Sequence, residues 1–356
     1  MLDRITLERR QAVGLGGEVG AYLGGLAGGL AIAAIVLVVA GVPANALAQE
    51  LLVQVFLTSG GLAQTVTIAI PLILAGLASA LAMRVRFWNI GIEGQLWLGA
   101  IGASGVALFD VGPEPLRLPL MLAAAALLGA GWIGVPLFFR LRLGTSEIVL
   151  TLLLSNVAYL LLQHLVFGPW QDPANSFPVS SAFDPPEQLS RLGFGNVHAG
   201  LAVALVAAVV AWIVVGRTRL GFSAAAGGGN PVAARAAGLP IGATIAAMVL
   251  LSGALAGLAG AVTIAGSEYR LTQYVGINAT FSGIVIAFLA RFHPLGVVAA
   301  ALALAGLYNA GATLKVFYGL SDAVVVLIQG IVLMSVLVAQ FFSTYRIAIA
   351  PRSVAP

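Results

Sequence analysis

Ten apolar stretches, each near the roughly 20 residues a helix needs to cross a bilayer, recur along this 356-residue chain and leave it little choice of fold. They run approximately 21–42, 61–83, 88–109, 118–139, 146–167, 198–216, 241–265, 275–290, 294–314 and 322–342. Inside a bilayer every backbone N–H and C=O needs a partner within the protein, and a helix supplies one locally. Charged residues are only 8% of the chain, against about 25% in a soluble domain. The chain therefore reads as an all-α polytopic membrane protein with about ten transmembrane helices.

The basic residues test that count independently. With a cytoplasmic N-terminus, 13 of the 17 fall inside: Arg4, Arg9, Arg10, Arg84, Arg86, Arg140, Arg142, Arg217, Arg219, Arg235, Arg291, Arg346 and Arg352. Only Arg117, Arg191, Arg270 and Lys315 fall outside, as the positive-inside rule requires. Both termini are expected in the cytoplasm. The division is then a cytoplasmic segment 1–20, a membrane domain 21–342 and a cytoplasmic tail 343–356. Ala46-Leu47-Ala48 resembles a signal-peptidase site, but the apolar run before it is long enough to span and is read as a retained helix. Residues 49–60 suit an interfacial turn or an early start of the second span. The net charge of +4 is scattered and makes no groove for nucleic acid. No cysteine is present, so thiolate metal sites and disulfides are excluded. His164, His198 and His293 stand far apart in no catalytic or metal-binding motif, and no catalytic or metal site is expected.

Two loops stand out. The outer connection 168–197 holds five prolines with Asp172, Asp184 and Glu187, and should be an external element ordered by turns. The inner loop 217–240 carries a flexible Gly227-Gly228-Gly229 lead and then a short helix, with Asn230 as cap, Pro231 first and Gly238 at the left-handed end. Its face has one charge, Arg235. Such a surface suits docking to a partner better than lying on lipid headgroups.

Spans two to five and seven to ten are offset by five, so equivalent helices would cross in opposite senses. Each set opens its second helix with a glycine-flanked asparagine, Asn89-Ile90-Gly91 and Gly276-Ile277-Asn278. Interrupted segments at matching places in inverted halves point to a transport site. Small residues permitting close packing are the plainer alternative, and Gly24/Gly28 and Gly253/Gly257 have that spacing.

Several blocks resemble the permease subunits of bacterial ABC importers of the branched-chain amino acid, simple sugar and nucleoside superfamily, and within it the nucleoside branch. They are TIAIPLILAGLASALAMRVRFWNIGIEGQLWLGA, GTSEIVLTLLLSNVAYLL, GGGNPVAARAAGLPIGATIAAMVLLSGALAGLAGA and FSGIVIAFLARFHPLGVVAAALALAGLYNAG. The first and third are the more specific. The resemblance implies a multi-pass protein of the bacterial cytoplasmic membrane with no cofactor, surrounded by lipid. It also implies three partners: an ABC ATPase subunit, a second and commonly different permease, and an extracytoplasmic solute-binding protein. By the same likeness Asn230, Pro231, Ala234, Arg235 and Gly238 would dock into the ATPase. The residues agree with that division, because the sole lysine, Lys315, lies in no phosphate-binding loop and this chain is not itself expected to be the ATPase.

A path for a nucleoside needs neutral donors, acceptors and aromatic faces. Trp88, Asn89, Glu93, Gln95, Asn156, Asn278, Ser282 and Asn309 are candidates of that kind. Each has a structural alternative. Glu93 could pair with Arg84 or Arg86, or accept from helix N-terminal amides. Glu147 is better placed for a cap or an ion pair with Arg140 or Arg142. Asn156 and Asn278 have no satisfying partner nearby in sequence, and interhelical hydrogen bonds are their alternative. A simple-sugar permease of the same superfamily, or an ion-coupled secondary transporter using intramembrane carboxylates, remain the competing readings.

Overall fold

The computed structural model describes residues 5–9, 15–276 and 278–349; Arg4, Arg10, Ile277 and Arg352 lie outside the described residues. Its described part is almost entirely helical, and it divides into two compact units, residues 56–306 and residues 1–55 with 307–356.

In the second of these units, α1 (Leu15–Val39) packs along α12 (Asp322–Thr344). Gly25 and Gly29 make the approach possible, because a Cβ on Gly25 would strike the backbone of Ser335 and Val336 and one on Gly29 that of Val332. The expected pair, Gly24 and Gly28, faces open space instead. A helix apolar on all sides gives no sign of which face meets a neighbour. The same unit holds a π-type helix, Gln49–Leu57, where an interfacial turn or an early second span was expected, and α11 (Pro294–Tyr318) enters it from the other unit. Strands β1 (Ile5–Arg9) and β2 (Tyr345–Ile349) pair antiparallel.

The larger unit contains α2 (Ser59–Arg84), α3 (Ile92–Leu108), α4 (Glu114–Leu143), α5 (Glu147–Val166) and α6 (Gly200–Arg217). The inner loop follows as α7 (Arg219–Gly229) and α8 (Pro231–Ala236), then α9 (Ile241–Thr263) and α10 (Ala279–Leu289). Helices α2, α3, α4 and α9 pack closely, and glycines set the spacing. A side chain on Gly257 would meet the carbonyl oxygen of Ala125, and one on Gly260 that of Leu96. Backbones in van der Waals contact are the means by which apolar helices associate without a hydrophobic driving force. Outward faces of α4, α5 and α6 carry exposed Leu127, Phe138, Leu153, Leu160 and Val206, as lipid or a second subunit requires.

Among the described residues, eight helices are long and apolar enough to span. The two exceptions among the ten expected segments are α3 and α10. Helix α3 starts at Ile92 and not 88, after a non-helical stretch 85–91. Helix α10 has 11 residues, about 16 Å at 1.5 Å each, where a core of about 30 Å must be crossed. Both are shorter than the expected spans and are entered through irregular backbone.

The triglycine is also a departure from expectation. Gly227, Gly228 and Gly229 close α7 as helix and form no loose lead. Gly228 lies against the carbonyl oxygen of Arg84 and Gly227 against Ile241, so close packing outweighs their poor helix propensity.

Candidate functional site

The N-termini of α3 and α10 meet. Neither N-cap residue, Gly91 or Asn278, caps its own helix through a side chain. Each cap comes from the other helix. The Thr280 hydroxyl accepts from the Glu93 N–H at 3.0 Å, and Glu93 Oε1 accepts from the Thr280 N–H at 3.3 Å. Both residues occupy the second helical position, so the junction is a reciprocal cap made in trans. Two converging helix N-termini attract negative charge. Here the chain supplies its own carboxylate, and the expected partners Arg84 and Arg86 are used elsewhere.

Behind this junction lies a closed amide network. Asn89 Nδ2 donates to Gln95 Oε1 at 2.9 Å and to Ser252 Oγ at 3.1 Å. Its Oδ1 accepts from Gln95 Nε2 at 2.7 Å and from the Gly91 N–H at 3.1 Å. Ser252 Oγ in turn donates to the Ala78 carbonyl at 2.7 Å. Asn89 thus has both donors and both acceptor positions engaged, and it and Gln95 are buried. They hold the irregular 85–91 segment against α2 and α9.

The remaining candidates divide. Trp88 is 42% exposed, with its ring 6.3 Å from that of Phe288, which lies 5.1 Å from Phe292. Asn278 is exposed, in the left-handed region at φ +66°, beside exposed Phe281. Ser282 is buried and donates to the Asn278 carbonyl at 2.8 Å. Asn156 sits on the exposed face of α5 and does have a local partner, the Leu152 carbonyl at 2.9 Å. Asn309 lies in the other compact unit. Glu147 is buried and pairs with Arg140 Nε at 3.2 Å. Sequence reasoning missed Thr280 and Ser252. The matching spacing could have found Thr280, which stands two residues after Asn278 as Glu93 stands two after Gly91.

The lead into α10 is held differently. Trp97 Nε1 donates to the Val275 carbonyl at 2.7 Å. The outer loop pairs with the same strip through Ser180 N–H to Leu271 O at 3.0 Å, Leu271 N–H to Ser180 Oγ at 2.9 Å and Phe183 N–H to Tyr269 O at 2.8 Å. A 3-10 turn, Pro185–Glu187, is capped by Asp184, and Glu187 binds Arg117 at the start of α4 at 3.1 Å. The loop is ordered by turns, as its prolines and acids predict.

On the inner side, Asn230 Oδ1 accepts from the N–H groups of Val232 and Ala233 at 3.0 and 3.1 Å. Gly238 has φ +79°. Ala234 is buried, whereas Val232, Arg235 and Ala236 on α8 and Phe222 on α7 are exposed.

Residues 61–337 match the family model described as "Branched-chain amino acid transport system / permease component". The chain is 37% identical over 281 residues to the glucose ABC transporter permease protein TsgB13 of Haloferax volcanii, covering 76% of this chain and 74% of that one. It is 31% identical to the guanosine ABC transporter permease protein NupP of Bacillus subtilis, over 72% of this chain and 75% of the relative. A second guanosine permease protein of that bacterium, NupQ, is 25% identical over 60% of this chain and 70% of its own length. The protein therefore belongs to the permease-component family of branched-chain amino acid transport systems: it is a multi-pass ABC permease subunit of the cytoplasmic membrane.

Proposed function

We propose that this chain forms the translocation path of an ATP-driven importer for a small neutral polar solute, a nucleoside. The observation that carries the proposal is the α3/α10 junction, where two half-helices of an inverted pair meet and Glu93 satisfies the amides that would otherwise select an anion. A solute passing this point meets the open-faced groups Trp88, Asn278 and Phe281, which offer aromatic surface and an amide and no fixed charge. Asn156 faces outward, where a second permease would complete the path. Two guanosine permease proteins from one bacterium both resemble this chain, which supports a pair of different permeases.

The power comes from a separate ATPase. Helix α8, with Asn230, Pro231, Ala234, Arg235 and Gly238 shaping it and Val232 exposed, is the docking surface for that subunit. An extracytoplasmic binding protein delivers the solute to the outer face. The second reading is a sugar path, favoured by the 37% identity to a glucose permease. The deciding experiment is uptake by proteoliposomes containing both permeases and the ATPase, given guanosine or glucose on the corresponding binding protein. ATP-dependent guanosine uptake supports the proposal. Glucose uptake alone replaces the substrate and keeps the architecture, and ion-driven uptake without ATPase overturns both.

A further inference from the structure

The corner between α2 and α3 touches both the inner loop and α10. Helix α2 ends in a turn in which the Phe87 N–H reaches back to the Ala82 carbonyl, with Arg86 at φ +55°, a conformation a non-glycine residue holds only under constraint. Helix α10 ends the same way: the Phe292 N–H reaches the Ala287 carbonyl, with Arg291 and Phe292 at φ +50° and +59°. Arg84 joins the two corners. Its Nε and Nη2 both donate to the Phe292 carbonyl, at 3.1 and 2.9 Å. Arg86 points the other way and donates through Nη2 to the Gly229 carbonyl at 3.1 Å, at the last residue of α7. Gly228 rests directly on the Arg84 carbonyl oxygen, where no Cβ fits. Arg86 thus binds a carbonyl at the C-terminus of α7, where a cation is favoured, and Arg84 holds the turn that follows α10.

We propose that Arg84 and Arg86 form a mechanical relay that carries movement of the α7–α8 loop to both half-helices. A push on α8 reaches α7 through their shared cap at Asn230, passes to the corner through Arg86 and Gly228, and reaches the C-terminal end of α10 through Arg84. The same corner leads directly into 85–91 and α3. Both half-helices whose N-termini meet at Glu93 and Thr280 are therefore moved from one point. The two arginines are positioning residues: they touch no solute, and they act through the helices they hold. This inference rests on the reading of α8 as the ATPase-docking helix.

The test uses the whole importer in proteoliposomes, with the binding protein and solute that support uptake by the unaltered complex. In Arg86→Gln, uptake should fall about tenfold while ATP hydrolysis stays within about twofold, so that solute moved per ATP collapses. Arg86→Lys should restore part of that ratio, since it keeps the charge and one donor. Arg84→Gln should uncouple in the same manner. Gly228→Ala reaches the same joint by steric means and should also lower the ratio. A purely structural role would lower uptake and hydrolysis by the same factor, with fewer complexes assembled, and that result overturns the relay. So does an unchanged ratio in all the variants. Failure of the docking reading has its own signature: Val232→Glu would leave ATPase attachment and hydrolysis untouched.

Discussion

Helices α3 and α10 cap each other at their N-termini, yet their leads are secured by different chemistry. The 85–91 stretch before α3 is pinned to α3 and α9 through buried Asn89, by its side-chain bonds to Gln95 and Ser252. The 269–278 stretch before α10 is pinned from outside by backbone bonds to the 168–197 loop and by one indole. A network closed inside the bundle must be disrupted as a unit, whereas a strip of loop hydrogen bonds can open one bond at a time. The difference makes α3 the more firmly held of the two helices, moving only together with α2 and α9, and α10 the one whose lead gives way more readily under the same push.

The largest effect is expected where the helices around α3 are packed. Gly257→Val would drive α9 away from α4 at the Ala125 carbonyl and at Gly129, costing about 3 kcal/mol. Folded, monodisperse protein in detergent should fall severely, whereas Gly242→Val, on the same helix with open space around it, should leave the yield unchanged. Equal yields would show that the close contact of α4 with α9 does not hold the bundle together.

Next is Asn89→Ala, which strands Gln95 and Ser252 without their partner and leaves the Gly91 N–H uncapped. Buried unsatisfied groups cost about 1–3 kcal/mol each, so the melting temperature should fall by many degrees and uptake with it. The double substitution Asn89→Leu with Gln95→Leu should recover part of the stability and none of the uptake. Full stability in Asn89→Ala would mean that the amide network does not fix α3.

The two leads also differ in how much the amino-acid sequence reveals. The apolar runs mark ten segments because burial in lipid is a local requirement, written in each stretch by itself. Glycine and asparagine at Asn89, Gly91, Gly276 and Asn278 mark where two of them break. Where the helices resume depends on a cap across 187 residues of chain, from Glu93 to Thr280, and no local pattern carries that. The assignment of Asn89 and Gln95 to the solute path rested on their being polar at membrane depth. Their role in the fold depends on Ser252, a residue 163 positions away. Gly25 and Gly29, one step from the pair with the familiar spacing, make the same point: on a helix apolar all round, periodicity names no face.

The outer root of the α10 lead offers a pH test. His198 is buried against Gly266, with Nδ1 accepting from the Gly200 N–H at 3.2 Å and Nε2 3.4 Å from Ser267 Oγ. Burial pushes the imidazole down from 6.5 to about 4, so the folded protein holds it neutral. A depressed histidine contributes stability that is complete above about pH 6.5 and is lost as pH falls toward about 4. The melting temperature should therefore drop by several degrees between pH 7 and pH 5. His198→Leu should flatten that slope. The change should appear first as faster amide exchange in residues 264–276, with 85–95 still protected; simultaneous loss in both would erase the distinction between the leads.

The smallest effect, and the most specific, is expected from Ser180→Ala. The Ser180 hydroxyl accepts from the Leu271 N–H and donates to the Ser181 carbonyl at 3.0 Å in a fully buried position. Its removal leaves one N–H unpaired at the edge of the strip, while the bond from the Ser180 N–H to Leu271 O remains. The cost should be about 1 kcal/mol, a small shift in melting temperature. Exchange at Leu271 and Thr272 should rise without change at Gly91 or Glu93, and uptake should alter by less than about threefold. If so small a loss stopped uptake altogether, the outer strip would be a rigid gatepost, and the shifting element would have to be sought in α3.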